Sequence, residues 1–128
     1  MNKETLKTIV TAAVCVARAD DQVVMMEQEL LEAFASRLEM NESEVAALHD
    51  TQISPMEAVN RLPDEESKAF LVKTLCAIAY SDGKRHDSEI ALIQATNEVL
   101  NPPLELKPWE DWEDYIEEIV EMLQNQSD

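Results

Sequence analysis

A single glycine, Gly83, stands in a chain of 128 residues, and that scarcity limits what the chain can fold into. Sandwiches and barrels turn often and draw on Gly at the positive-φ positions of their turns. One glycine cannot serve such a chain, so an all-β fold is not expected. Nor can it build a Gly-rich phosphate loop of either common type. The apolar residues are spaced for helices instead. Leu6, Ile9, Val10, Ala13, Val16 and Ala17 share one face of a first helix, and Leu30, Leu31, Phe34 and Leu38 continue in a second, entered around Met25.

Start and stop signals divide the remainder. Asn41 with Glu44 reads as a capping box that opens a short helix through Leu48. Ser54-Pro55-Met56-Glu57 gives an N-cap, a proline at the first helical position and a glutamate at the third. Pro63 opens a long helix with Leu71, Thr74, Leu75, Ile78 and Ala79 on its face, which Gly83 ends. Asp64, Glu65 and Glu66 fall in its first turn, where the helix dipole favours them. A further helix runs from about Asp87 to Leu100, and Asn101-Pro102-Pro103 breaks the chain. A last helix, about 108–124, starts at Pro108 and turns Trp109, Trp112, Ile116, Ile119, Val120 and Leu123 inward. The expectation is an all-α fold: one domain over residues 1–128, a bundle of seven helices.

An internal repeat organises that bundle. Val10, Ala17, Asp20, Glu27, Leu30, Ala33 and Leu38 recur 62 residues later as Val72, Ala79, Asp82, Glu89, Leu92, Ala95 and Leu100. Ile9, Val16 and Leu31 meet Leu71, Ile78 and Ile93. Each copy is an apolar helix, an acidic turn, a glutamate and a second apolar helix. Two helical hairpins of one design are therefore expected to face each other; a solenoid would need at least three units.

The turns carry the chemistry on offer. Asp20 precedes Glu27 by the same interval as Asp82 precedes Glu89. The Asp-to-Glu interval matches the second half of an EF-hand loop, but the slots four and two residues earlier hold Val16 and Arg18, then Ile78 and Tyr80. These supply no oxygen ligands of the kind calcium needs, so neither turn is an EF-hand. Two explanations remain. Capping would place an Asp at one helix end and a Glu in the next helix's first turn. Alternatively, the carboxylates hold a hard cation partly through water, with fewer oxygens than the six to eight that calcium prefers.

The run Ala17-Arg18-Ala19-Asp20-Asp21-Gln22-Val23, followed by Glu27, resembles the signature of the TerB-like family: Ala-x-Ala-Asp-Gly-x-Ile/Val with a Glu four residues on. That family includes the tellurite-resistance protein TerB and the N-terminal region of membrane-anchored J-domain co-chaperones. The resemblance spans about residues 5–100 and is carried by both copies. It implies an all-helical bundle, a role in bacterial stress or envelope-associated assemblies, and a divalent cation, calcium or magnesium, at the acidic turns. By position that site uses Asp20 and Glu27, with Asp82 and Glu89 as the repeat's equivalents; Asp21 and Asp87 complete the candidate set. The sequence departs from the signature where Asp21 replaces Gly and where Arg85 replaces an apolar residue. Lys84 and Arg85 also bring positive charge beside Asp82, so the first turn is expected to be the better site. There is no His-Pro-Asp tripeptide, so the chain is not itself a J-domain co-chaperone.

Charge narrows the partners. Ten basic against 27 acidic residues leave a net −17, which repels nucleic acid and anionic lipid and favours cations and basic proteins. The last helix concentrates that charge: Glu110, Asp111, Glu113, Asp114, Glu117, Glu118 and Glu121 stand there without a base between them. Either this is a solvated outer face or it docks a basic partner. The protein partner is thus expected to present a basic surface or belong to a membrane-associated complex, without membrane insertion by this chain. Cys15 and Cys76 sit in apolar stretches and read as buried free thiols in a reducing cytoplasm. His49 and His86 read as surface residues. No nucleophile elbow, Cys–His pair or paired carboxylates in a binding context appear, so no enzyme is expected.

Overall fold

The stretch that decides the architecture has almost no polar face. In Glu65–Tyr80, the residues Ser67, Phe70, Leu71, Val72 and Thr74 through Ala79 are all buried. A helix apolar nearly all round must be covered on several sides. The computed structural model, which describes residues 3–18, 25–50, 53–80 and 87–125 (side chains 17, 18, 25–29, 49 and 125 apart), shows how. Its helices are α1 (Lys3–Arg18), α2 (Met25–Leu38), α3 (Glu42–Asp50), α4 (Pro55–Arg61), α5 (Glu65–Tyr80), α6 (Asp87–Glu98) and α7 (Glu113–Asn125). A 3₁₀ turn, Trp109–Asp111, precedes α7, and no strand occurs among the described residues.

Helix α5 is the axis. It is packed by α1, α6 and α7; α2 lies against α1 and α7, while α3 and α4 pack on α1 and α4 reaches α6. The two polar side chains most deeply enclosed in α5 find partners at once. Thr74 donates from Oγ1 to the Phe70 carbonyl at 2.8 Å, and Ser67 from Oγ to the Asp64 carbonyl at 2.9 Å. Burial therefore leaves no orphaned hydroxyl there.

The repeat is real where the hairpins meet. Its two first helices, α1 and α5, pack on each other, and Ile9/Leu71, Val10/Val72 and Val16/Ile78 are buried in register. It fails on the second helices. Leu30 is 0% exposed in α2, whereas Leu92, its counterpart in α6, is 41% exposed. The difference is cover: α2 packs on both α1 and α7, whereas the main packing of α6 among the described residues is on α5 and α4.

Capping explains most of the helix boundaries. Asn41 and Glu44 form the expected reciprocal box, with Glu44 N–H donating to Asn41 Oδ1 at 2.8 Å and Asn41 N–H to Glu44 Oε1 at 3.5 Å. Ser54 Oγ accepts from Glu57 N–H at 3.1 Å. Asp64 corrects the reading of α5: it is the N-cap itself, accepting from Ser67 N–H at 2.8 Å, with Pro63 outside the helix. The end of α2 is closed without glycine. Glu39 takes φ 55°, Met40 N–H bonds to Ala35 O at 2.9 Å and Glu39 N–H to Ser36 O at 3.3 Å, a Schellman arrangement.

Three further expectations need correction. α3 runs two residues past Leu48, to Asp50, and α6 stops at Glu98, with Val99 and Leu100 turned back onto Thr96 and Asn97 carbonyls. The last helix does not start at Pro108. Pro108 caps the 3₁₀ turn, and α7 begins at Glu113, because Trp112 is drawn inward and anchored by its Nε1–H on the Lys107 carbonyl at 2.7 Å. Trp112, Ile116, Ile119 and Leu123 then form the inner face as expected, joined by Tyr115, whereas Trp109 and Val120 are half-buried. The helix end assigned to Gly83 lies outside the described residues.

Leu30→Ala should cost about 2–5 kcal/mol in urea unfolding, as buried leucine truncations do, while Leu92→Ala should cost less than about 1 kcal/mol. The Asp64 cap gives a pH signature. Ser67, through its backbone N–H first and then its side chain, holds the Asp64 carboxyl below the ordinary 3.8. Its contribution is complete above that ordinary value and is lost as pH falls through the lower folded one. Asp64→Asn should therefore flatten part of the fall in melting temperature between about pH 5 and pH 2.

Candidate functional site

Of the six candidate ligands, two have described side chains. Asp87 and Glu89 occupy the first turn of α6. Asp20, Asp21 and Asp82 lie outside the described residues, as does His86, and Glu27 belongs to α2 with its side chain outside them. Asp87 is exposed. Glu89 is half-buried, and its Oε1 is enclosed with no hydrogen-bond partner. Among the described residues no three His, Cys, Asp or Glu side chains converge as a metal site would require.

Glu89 borders a groove that the sequence reading missed. Cys15 and Val16 of α1, Ile53, Ser54 and Pro55 at the start of α4, and Ser88, Glu89 and Leu92 of α6 line an open groove of about 460 Å³. Local structure explains the assembly. Ser54 and Pro55 set the entry angle of α4 and bury Pro55 beside Ile53, whose N–H donates to Cys15 Sγ at 3.4 Å. The end of α1 leads into the first acidic turn, and the start of α6 follows the second. Residues near the end of α1 and at the start of α6 therefore line one groove.

The two cysteines differ, which corrects the reading of Cys15 as a buried thiol. Cys76 is enclosed in α5, and loss of solvation pushes its thiol up to about 12. Cys15 is half-buried on the groove wall. The acidic last helix also has more compensation than its own sequence offers. Lys73 of α5 reaches Glu118 at 2.6 Å, and Lys107 reaches Asp114 at 3.2 Å. Hydrogen bonding to Asp114 raises the Lys107 ammonium above its ordinary value. Glu113, Glu117 and Glu121 remain exposed, one turn apart along an outer ridge.

The family described as tellurite resistance protein TerB matches residues 46–103, from α3 through α6 to the proline pair. The match supports a TerB-like family assignment. It covers less than half of the chain and falls on the second copy of the repeat; the first copy, with the signature around Asp20, lies outside the matched stretch. No match emerged among curated proteins or solved structures. The TerB-like stretch supplies the α4 and α6 walls of the groove, and α1 supplies the third. No described helix is long and apolar enough to cross a membrane.

Native protein treated with iodoacetamide should be modified at Cys15 alone. Cys76 should react only after denaturation, since the thiolate is the nucleophile and burial suppresses it. Peptide mass mapping reads both sites.

Proposed function

We propose that this chain is a non-enzymatic, TerB-like binding module of the bacterial cytoplasm, acting in a stress response of the tellurite-resistance kind, in which the acidic turns hold calcium or magnesium and present it to a protein partner. The observation that supports cation binding most directly is the enclosed, unpartnered Oε1 of Glu89. A carboxylate oxygen withdrawn from water costs free energy unless a donor, a proton or a cation meets it. It belongs to the repeat's own glutamate, at the mouth of a groove bordered by both turn-bearing helices. A hard divalent ion suits such oxygen donors. Reducing conditions agree with two free thiols, and a net −17 turns nucleic acid away.

A second reading rests on a different observation, the exposed ridge of Glu113, Glu117 and Glu121 on α7. There the chain is a metal-free adaptor that docks a basic partner by charge alone.

Thermal melts with millimolar calcium or magnesium separate the two. Binding to the folded state stabilises by RT ln(1 + [L]/Kd), about 2.7 kcal/mol at a hundredfold excess over Kd. Asp20→Asn should blunt that rise more than Asp82→Asn, because Lys84 and Arg85 already offset charge in the second turn. Glu89→Gln should raise the melting temperature without cation, by relieving a buried charge, and reduce the response to cation. Glu113→Gln should leave the response intact. A loss with Glu113→Gln equal to that with Asp20→Asn means that the ion only screens the net charge, and the adaptor reading takes over.

A further inference from the structure

We infer that the outer face of α6 is a docking surface for an amphipathic helix of a protein partner, apolar along one side and flanked there by Lys and Arg. Leu92 and Val99, 41% and 46% exposed, are the large hydrophobic side chains left in solvent among the described residues. Scattered singly they would need no explanation. They instead stand close in sequence on one side: Leu92 and exposed Ala95 lie one turn apart on α6, exposed Ala91 adjoins Leu92, and Val99 stands in the turn that closes the helix. At its Leu92 end the stripe runs into the groove walled by Cys15, Ile53 and Pro55.

The repeat shows what covers such a face. Leu92 and Ala95 correspond to Leu30 and Ala33 of α2, where Leu30 is fully buried and the helices packed on α2 are α1 and the amphipathic α7. The second hairpin has the same apolar positions and no described helix on them. Charge then selects the occupant. Helix α6 carries Asp87, Glu89 and Glu98 and no Lys or Arg. A second copy of this chain would bring −17 against −17 and acid against acid, whereas Lys and Arg beside an apolar face complement the stripe. The inference rests on the chain being an interaction module and does not involve the cation.

The test uses a fluorescein-labelled amphipathic Leu/Lys helix of about five turns, followed by anisotropy with EDTA present at about 0.15 M salt. Failure of the cation reading therefore leaves this result untouched. Saturable one-to-one binding is expected, weakened about tenfold or more by Leu92→Asp and likewise by Val99→Asp. Both residues are exposed, one within α6 and one in its closing turn, so a folding defect in either variant leaves the other as the test. Cys15 alkylation should slow in the complex, with Cys76 silent throughout. A Leu/Glu helix with the same apolar face should bind at least about tenfold more weakly, and joint Glu113→Gln, Glu117→Gln and Glu121→Gln should leave affinity within about threefold. Affinity that survives both α6 substitutions, or falls as far with the α7 set, marks general attraction to an acidic chain and overturns the assignment. A concentration-dependent dimer in sedimentation that Leu92→Asp abolishes also overturns it, by seating a second copy on the stripe.

Discussion

The enclosure of α5 is the constraint on which the rest depends. Ten of its residues are buried, so the chain must supply cover from several directions. Each fully buried leucine or isoleucine contributes roughly 1.5–3 kcal/mol, so uncovering any side would cost a large part of an ordinary domain's stability. The positions of α1, α6 and α7 follow from that demand. The aromatic corner follows too. Trp109 packs between Tyr80 and Trp112, with ring centroids 5.0 and 5.2 Å away, and so fastens the start of α7 to the end of α5.

Charge is arranged around this core under a shortage of bases. Lys73 interrupts the buried surface of α5 only where Glu118 can meet its ammonium. Lys107 serves three purposes at once: its carbonyl accepts from Trp112, its N–H donates to the Tyr115 hydroxyl at 3.0 Å, and its ammonium pairs with Asp114 while lying over the Tyr115 ring. An acidic helix is therefore held by its apolar face and two lysines from elsewhere in the chain. The exposed Lys107–Asp114 pair gives little energy alone and the half-buried Lys73–Glu118 pair is less screened; both relieve repulsion between carboxylates a turn apart.

Helix positions and caps were largely legible, because Ser54-Pro55, Asn41 with Glu44, and helical apolar spacing are local signals with local causes. The start of α7 was not. Proline at 108 fits a helix opening equally well, and only the burial of Trp112 makes the first turn 3₁₀. Leu92 illustrates the deeper limit. An identity with Leu30 across the repeat predicts the same environment, yet burial depends on which distant helix lies outside, and no local pattern encodes that α7 covers α2 and leaves α6 open. For the candidate site, residue types and spacing named Glu89 and Asp87, but the groove joins α1, α4 and α6 across the chain. The adjacency of Cys15 to Ile53 is a tertiary fact. The one available clue was the apolar series Leu92, Ala95 and Val99, out of phase with the buried Ile90, Ile93 and Asn97 of α6.

The way the two hairpins meet has a consequence for each of them alone. Helices α1 and α5 pack on each other, and the equivalent residues Ile9 and Leu71, Val10 and Val72 are buried in both. Neither hairpin could stand alone in water with that surface open. A hairpin of this design made alone would carry that face into water, where a second copy of itself is the complementary surface at hand, in a symmetric two-chain bundle. Held in one chain, the two halves need not match on their outer surfaces: α2 packs on the acidic α7, while α6 keeps Leu92 toward solvent.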